Sequence, residues 1–280
     1  MFFLPLVLGS LAIVFPFLAL MLLLAFCGKN GSQCISNPTK SISPFFIVPI
    51  ILLILVYRTD NLMLASDALY GVGLAVMFFL ISIKRNVHIN DAITRTALLI
   101  IAYGLWRSIL FGDVLDKTFD SAISSLQKNF VMFKTESLGV NTVKYMHLLM
   151  PAIWTVQQIL ALMIGFVLFE KNVGIVQGIR KFALPKYFSI ILLAILPLYF
   201  WDNSFIFFVN ALLSLCMLPM LQGLIVLVDR TFSIVPNRML AGIVLAIILL
   251  NIISYLFIVL LGLADQWLDF RKINNGGISA

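Results

Sequence analysis

The chain has 280 residues, is 62% hydrophobic and 11% charged, and has a mean hydropathy of +1.09. A water-soluble domain is nearer half apolar and a quarter charged, so this length suits one membrane domain with little left for a soluble one. The net charge of +7 sits in short connections between apolar runs, which fits loops held in the cytoplasm or against anionic lipid and argues against nucleic acid.

The expected fold is an all-α, polytopic transmembrane bundle forming a single domain over residues 1–280. About eight spans are expected, seven being possible, at about 2–27, 45–57, 62–83, 92–112, 145–169, 187–200, 203–228 and 240–267. No Lys/Arg-led leader with a small-residue cleavage site precedes the first run, so that run is expected to remain as a span, kinked at Pro16. Cys27 and Cys34 flank the loop that follows; they would form a disulfide only where that loop faces an oxidising compartment. With no Cys-x-x-Cys or Cys/His cluster, no metal site and no cofactor are expected.

The third run carries Asp67 and the small-residue pair Gly71 and Ala75; the fourth carries Arg107 in its last turns. The two charges fall at similar depth on the same side of sequence-adjacent spans, which makes a buried Asp67–Arg107 pair the leading expectation. Asp265 and Asp269 compete for the same guanidinium, and snorkelling is the remaining alternative.

Over about 113–130, Leu115, Phe119, Ile123, Leu126 and Phe130 recur at three- and four-residue steps opposite Asp116, Lys117, Asp120 and Gln127. That pattern predicts an amphipathic helix, lying in the interface plane or serving as a lateral gate or partner-docking helix.

Polar groups at membrane depth are the candidate site. His147, Trp154 and Gln158 share one side of the fifth span; Asn210, Ser214 and Gln222 share one of the seventh; Asn251, Ser254 and Tyr255 share one of the eighth. Either they line a common small-molecule pocket or they bond across helices as packing contacts. The closing stretch groups Asp265, Trp267, Asp269 and Arg271, with a Trp267–Arg271 cation–π contact in reach. Its paired carboxylates can share a proton or bind a cation, or the cluster anchors a helix end in the headgroup region. Enzyme signatures such as Gly-x-Ser-x-Gly or His-Glu-x-x-His are missing, so no catalytic residues are expected. Basic residues concentrate in odd-numbered loops, putting those loops in the cytoplasm and both termini outside.

Leu184-Pro185, Asn210, Leu221-Gln222-Gly223, Gly262-Leu-Ala-Asp265 and Trp267-Leu-Asp269-Phe-Arg271 resemble the C-terminal half of the YybS-like bacterial membrane proteins. The resemblance implies the bacterial cytoplasmic (inner) membrane and no established activity. It also implies remote similarity of fold to the substrate-capturing S components of energy-coupling-factor transporters. The chain departs from their Ala-x-x-x-Ala docking motifs: Ala12 is followed four residues later by Pro16, and Ala19 by Leu23. The function expected is binding or transport of a small or lipid-like molecule; a non-transporting scaffold or assembly factor is the alternative, ahead of a membrane-embedded enzyme. The partners expected are the lipid bilayer, a small-molecule or lipid ligand, and a membrane protein.

Overall fold

A computed structural model describes residues 3–55, 59–129, 136–173, 179–200 and 204–271. Phe130, residues 201–203 of the turn after the sixth run, and Lys272 lie outside the described residues, as does the tail that follows. Among the described residues the chain is all-helical and holds no strand.

The first apolar run is two helices, α1 (Phe3–Val14) and α2 (Pro16–Lys29). Pro16 brings no N–H and breaks the helix at Phe15, yet Phe15 N–H still donates to the Leu11 carbonyl and Ala19 N–H to that of Phe15. The pair therefore runs on as one kinked path. α3 (Gly31–Ser36) is a short turn of helix leading into α4 (Pro38–Leu55), which starts seven residues earlier than the expected 45–57 and so gains a full crossing length.

α5 (Thr59–Ser66), a π-helical segment (Asp67–Leu74) and α6 (Ala75–Lys84) make one continuous run. α7 (Ile89–Leu110) returns antiparallel to it, and α8 (Gly112–Asn129) is the amphipathic helix. Val114 and Leu115 of α8 are buried against Met63, Leu64 and Met150, while its charged face is exposed. The C-terminal part of α9 (Glu136–Val173) packs along α2. Gly28 makes that contact close: a Cβ there would stand 2.6 Å from the Phe169 backbone. Lipid tails are as apolar as leucine, so such backbone approach, rather than escape from water, is what favours helix pairing here.

After a 3₁₀ turn (Ile179–Lys181) come α10 (Tyr187–Ala194) and a 3₁₀ segment (Leu196–Phe200), then the long α11 (Phe205–Ile234). Five runs are long and apolar enough to cross a membrane, or six when the last pair is taken as one span.

That last pair corrects the expected span at 240–267. α12 (Arg238–Leu250) and α13 (Ile252–Leu268) meet at Asn251 with a bend of 104°. Asn251 closes one helix and caps the next, its side-chain oxygen accepting from the Ile253 N–H. Arg230, near the end of α11, donates to the Phe270 carbonyl, so the pair starts and finishes at the same end of α11. The two helices thus form a V, and not the single straight span expected.

Two ends of the bundle follow. At one, α2, α7, α9 and the segment before α10 are tied by Asn172 to the Ala25 carbonyl and Asn90 to the Lys181 carbonyl. At the other, α5, the end of α7, α8 and the starts of α9 and α11 meet.

Candidate binding groove

α9 and α11 are joined through a break in the α9 hydrogen-bond ladder. Pro151 disturbs the helix there, and the Asn210 amide enters the gap between residues 148 and 152. Its oxygen accepts from the Ala152 N–H at 3.0 Å, and its nitrogen donates to the Leu148 carbonyl at 2.8 Å and to Ile206 at 2.9 Å. A side-chain amide thus replaces one missing backbone bond and pins two helices together.

On one side of that pin lies a mouth of about 460 Å³ whose walls are mostly apolar but carry Ser108, Asp116, Lys144, His147 and Asn210. His147 Nε2 is 2.9 Å from Asp116 Oδ1, and the imidazole stands edge-on to Phe119, so α8 rests on the start of α9. Further along the same two helices lies an apolar groove of about 660 Å³, closed on its third side by α13. Ala152, Val156, Leu213, Cys216, Met220 and Tyr255 are among its walls. Tyr255 is held by donating its hydroxyl to the Leu249 carbonyl.

The nine residues expected to line one pocket do not converge. His147 and Asn210 are at the mouth and Tyr255 is in the groove. Gln222 is wholly buried elsewhere, accepting from Leu184 N–H and donating to Asp265 Oδ2 at 2.7 Å. Gln158 and Ser214 are buried, and Gln158 Oε1 and Ser214 Oγ have no hydrogen-bond partner among the described residues. Asn251 is an exposed cap and Ser254 is half-buried on α13. Shared helical faces were legible from spacing; the rotation of each helix about its axis, which decides whether faces meet, was not.

Trp154 belongs to a second cluster. Arg107 Nε and Nη2 donate to Asp67 Oδ1 and Oδ2 at 2.7 and 2.8 Å, a bidentate pair, and Tyr103 donates to Oδ1 at 2.8 Å. The guanidinium carbon lies 5.0 Å above the Trp154 ring, and Tyr103 meets Trp154 edge-on and stacks on Tyr70. Asp67 opens the π segment, a geometry that occurs mostly as short bulges at functional positions. Tyr103 stands four residues before Arg107 and Tyr70 three after Asp67, spacings that put each tyrosine beside its charge and that the sequence reading passed over.

The C-terminal cluster is corrected too. Arg271 does not stack on Trp267: its Nε and Nη2 bind Asp265 Oδ2, and its other donors reach the Arg180 and Phe182 carbonyls. Asp265 is 4% exposed, so this is an interior tie and not a headgroup anchor. Trp267 is exposed and takes Lys186 over its ring instead, while Asp269 ends α13 in the left-handed conformation (φ 46°). Gln266, unread in the sequence, bonds Ser189 and the Pro185 carbonyl.

The chain matches no family model, no curated protein and no solved structure.

Proposed function

We propose that the chain is a multi-pass protein of the bacterial inner membrane, YybS-like, that binds or passes an amphiphile. The tail would lie in the α9–α11–α13 groove and the polar head at the mouth beneath α8. The observation that carries this reading is the change of lining along one seam, from a mouth whose apolar walls carry Ser108, Asp116, Lys144 and His147 to a groove whose side chains are almost all apolar. A lipid-like molecule has that same division, and both volumes fall in the range of small-molecule sites, roughly 300–1,000 Å³.

A phosphatidylethanolamine carrying a photoreactive group in its tail tests the reading in reconstituted vesicles. Crosslinks should concentrate on residues 149–157 and 212–220, and Val156→Trp should reduce them about tenfold, the effect of losing roughly 1.4 kcal/mol of binding. Labelling spread evenly over the lipid-facing surface overturns the reading. It would favour the scaffold alternative, which draws support from Asn210, Gln222 and Gln266 being committed to interhelical bonds.

The topology that accompanies this reading has α12–α13 as a re-entrant pair and seven crossings: the five long runs, the kinked α1–α2 and the run Tyr187–Phe200. The last is short for a crossing, and its 3₁₀ part helps by rising about 2.0 Å per residue against about 1.5 Å in an α-helix. Lys29, Lys84, Arg85, Lys171, Lys181 and Arg230 gather at the end where the re-entrant pair returns, so that end is cytoplasmic. The C-terminus is then cytoplasmic, the reverse of the eight-span expectation. A reporter active only in the periplasm should be inactive when fused at Ala280 and active when fused before Met1; activity at Ala280 overturns this topology.

A further inference from the structure

The polar side chains at the mouth come from four helices: Ser108 from α7, Asp116 from α8, Lys144 and His147 from α9, and Asn210 from α11. They are not equally free to take a ligand. The Asn210 amide is engaged by Leu148, Ala152 and Ile206. The Ser108 hydroxyl donates to the Leu105 carbonyl at 2.7 Å, which leaves its oxygen only acceptor sites. A carboxylate has acceptors alone, so His147 Nε2 donates to Asp116 Oδ1 and holds that side chain at the α8 wall, with Oδ2 open. Lys144 stands three residues before His147 on the same face of α9, and its ammonium makes no ion pair among the described residues. The open groups are therefore a cation that donates, an anion that accepts and a hydroxyl oxygen that accepts.

We infer that the mouth selects a zwitterionic head in which a phosphate is joined to a primary amine, as in phosphatidylethanolamine. The inference rests on the amphiphile reading above and names the class of head. The phosphate lies at Lys144, and the ammonium donates to Asp116 Oδ2 and Ser108 Oγ. An anionic head without an amine, such as that of phosphatidylglycerol, would set its charge against the Asp116 carboxylate. The quaternary ammonium of phosphatidylcholine has no N–H for either acceptor. Asp116 and Lys144 both touch water, so the discrimination expected is about fivefold, the upper end for an ion pair that solvent still reaches.

The full chain in phosphatidylcholine vesicles gives the test, with one photoreactive tail carried at equal mole fraction on phosphatidylethanolamine, phosphatidylglycerol or phosphatidylcholine. Labelling of residues 149–157 and 212–220 should be about fivefold stronger with phosphatidylethanolamine than with either of the others. That comparison is made on the parent protein and needs no substitution. Asp116→Asn should bring phosphatidylethanolamine down to the phosphatidylcholine level and leave phosphatidylcholine unchanged, whereas a merely loosened α8 would weaken all three lipids alike. Lys144→Gln should weaken all three, because each carries a phosphate. Glycerophosphoethanolamine in the water should displace none of the label, since it brings the head without the tail. Equal groove labelling by the three lipids, phosphatidylglycerol ahead of phosphatidylethanolamine, an unchanged ratio in Asp116→Asn, or displacement by glycerophosphoethanolamine overturns the inference and leaves the groove reading standing. Labelling that shows no preference for the groove with any of the three overturns that reading, and the inference with it.

Discussion

Replacing Asp67 or Arg107 alone will destabilise the protein more than replacing both. The side chains are 4% and 8% exposed and lie inside apolar runs, where neither water nor a headgroup can take over from a lost partner. Asp67→Asn or Arg107→Met strands one charge, at a cost of about 3–5 kcal/mol. The double variant Asp67→Leu with Arg107→Met removes the stranded charge. It still leaves the Tyr103 hydroxyl without its acceptor, a residual cost of about 1–3 kcal/mol. Arg107 reaches Met63 as well as Asp67, and Trp154 lies beneath it, so the cation is enclosed and not snorkelled. Denaturation of the four proteins in mixed micelles, read as a double-mutant cycle, checks this. An Asp67→Asn protein as stable as the parent, or a double variant as costly as the two singles together, sinks the argument.

Gly223→Ala or Gly262→Ala should separate α11 from α13. A Cβ on Gly223 would stand 1.9 Å from the Ile258 carbonyl oxygen, and one on Gly262 would stand 1.9 Å from that of Pro219. The obstacle is helix backbone on both sides, so no side chain can swing away and the two axes must part. Parting them stretches the Gln222–Asp265 bond, whose carboxylate also holds Arg271, and it removes one wall of the groove. The expected loss is about 3 kcal/mol, at the upper end of overpacking costs, and lipid crosslinking to 212–220 should fall with it. Gly242→Ala is the control: a Cβ there meets nothing within 4 Å, so it should be neutral or gain up to about 1 kcal/mol from helix propensity. Equal unfolding midpoints for Gly223→Ala and Gly242→Ala would show that the crossing is not tight.

Leu221-Gln222-Gly223 and Gly262-Leu-Ala-Asp265 therefore belong to one crossing, with glycines touching at its centre and Gln222–Asp265 beside it. In the sequence they are two separate patterns forty residues apart. A small residue says that a backbone can come near, without saying which one. The Asp67–Arg107 pairing was legible because depth along an apolar run is a count of residues, and consecutive antiparallel spans joined by a short loop pack together. Partners further apart in sequence, such as Asn210 with Leu148 and Ala152, carry no such count.

Hydropathy and periodicity by themselves determined the all-helical architecture, the apolar runs and α8, because a chain in lipid must satisfy its backbone within each helix and an apolar stripe repeats at the helical period. Tertiary structure alone decided the rest. Residues 240–267 read as one uninterrupted apolar run, and hydropathy does not register that Asn251 ends one helix and begins another. The π turn at Asp67 and the insertion of Asn210 into the α9 ladder depend on how helices rotate and cross, which is set by contacts between residues far apart in the chain.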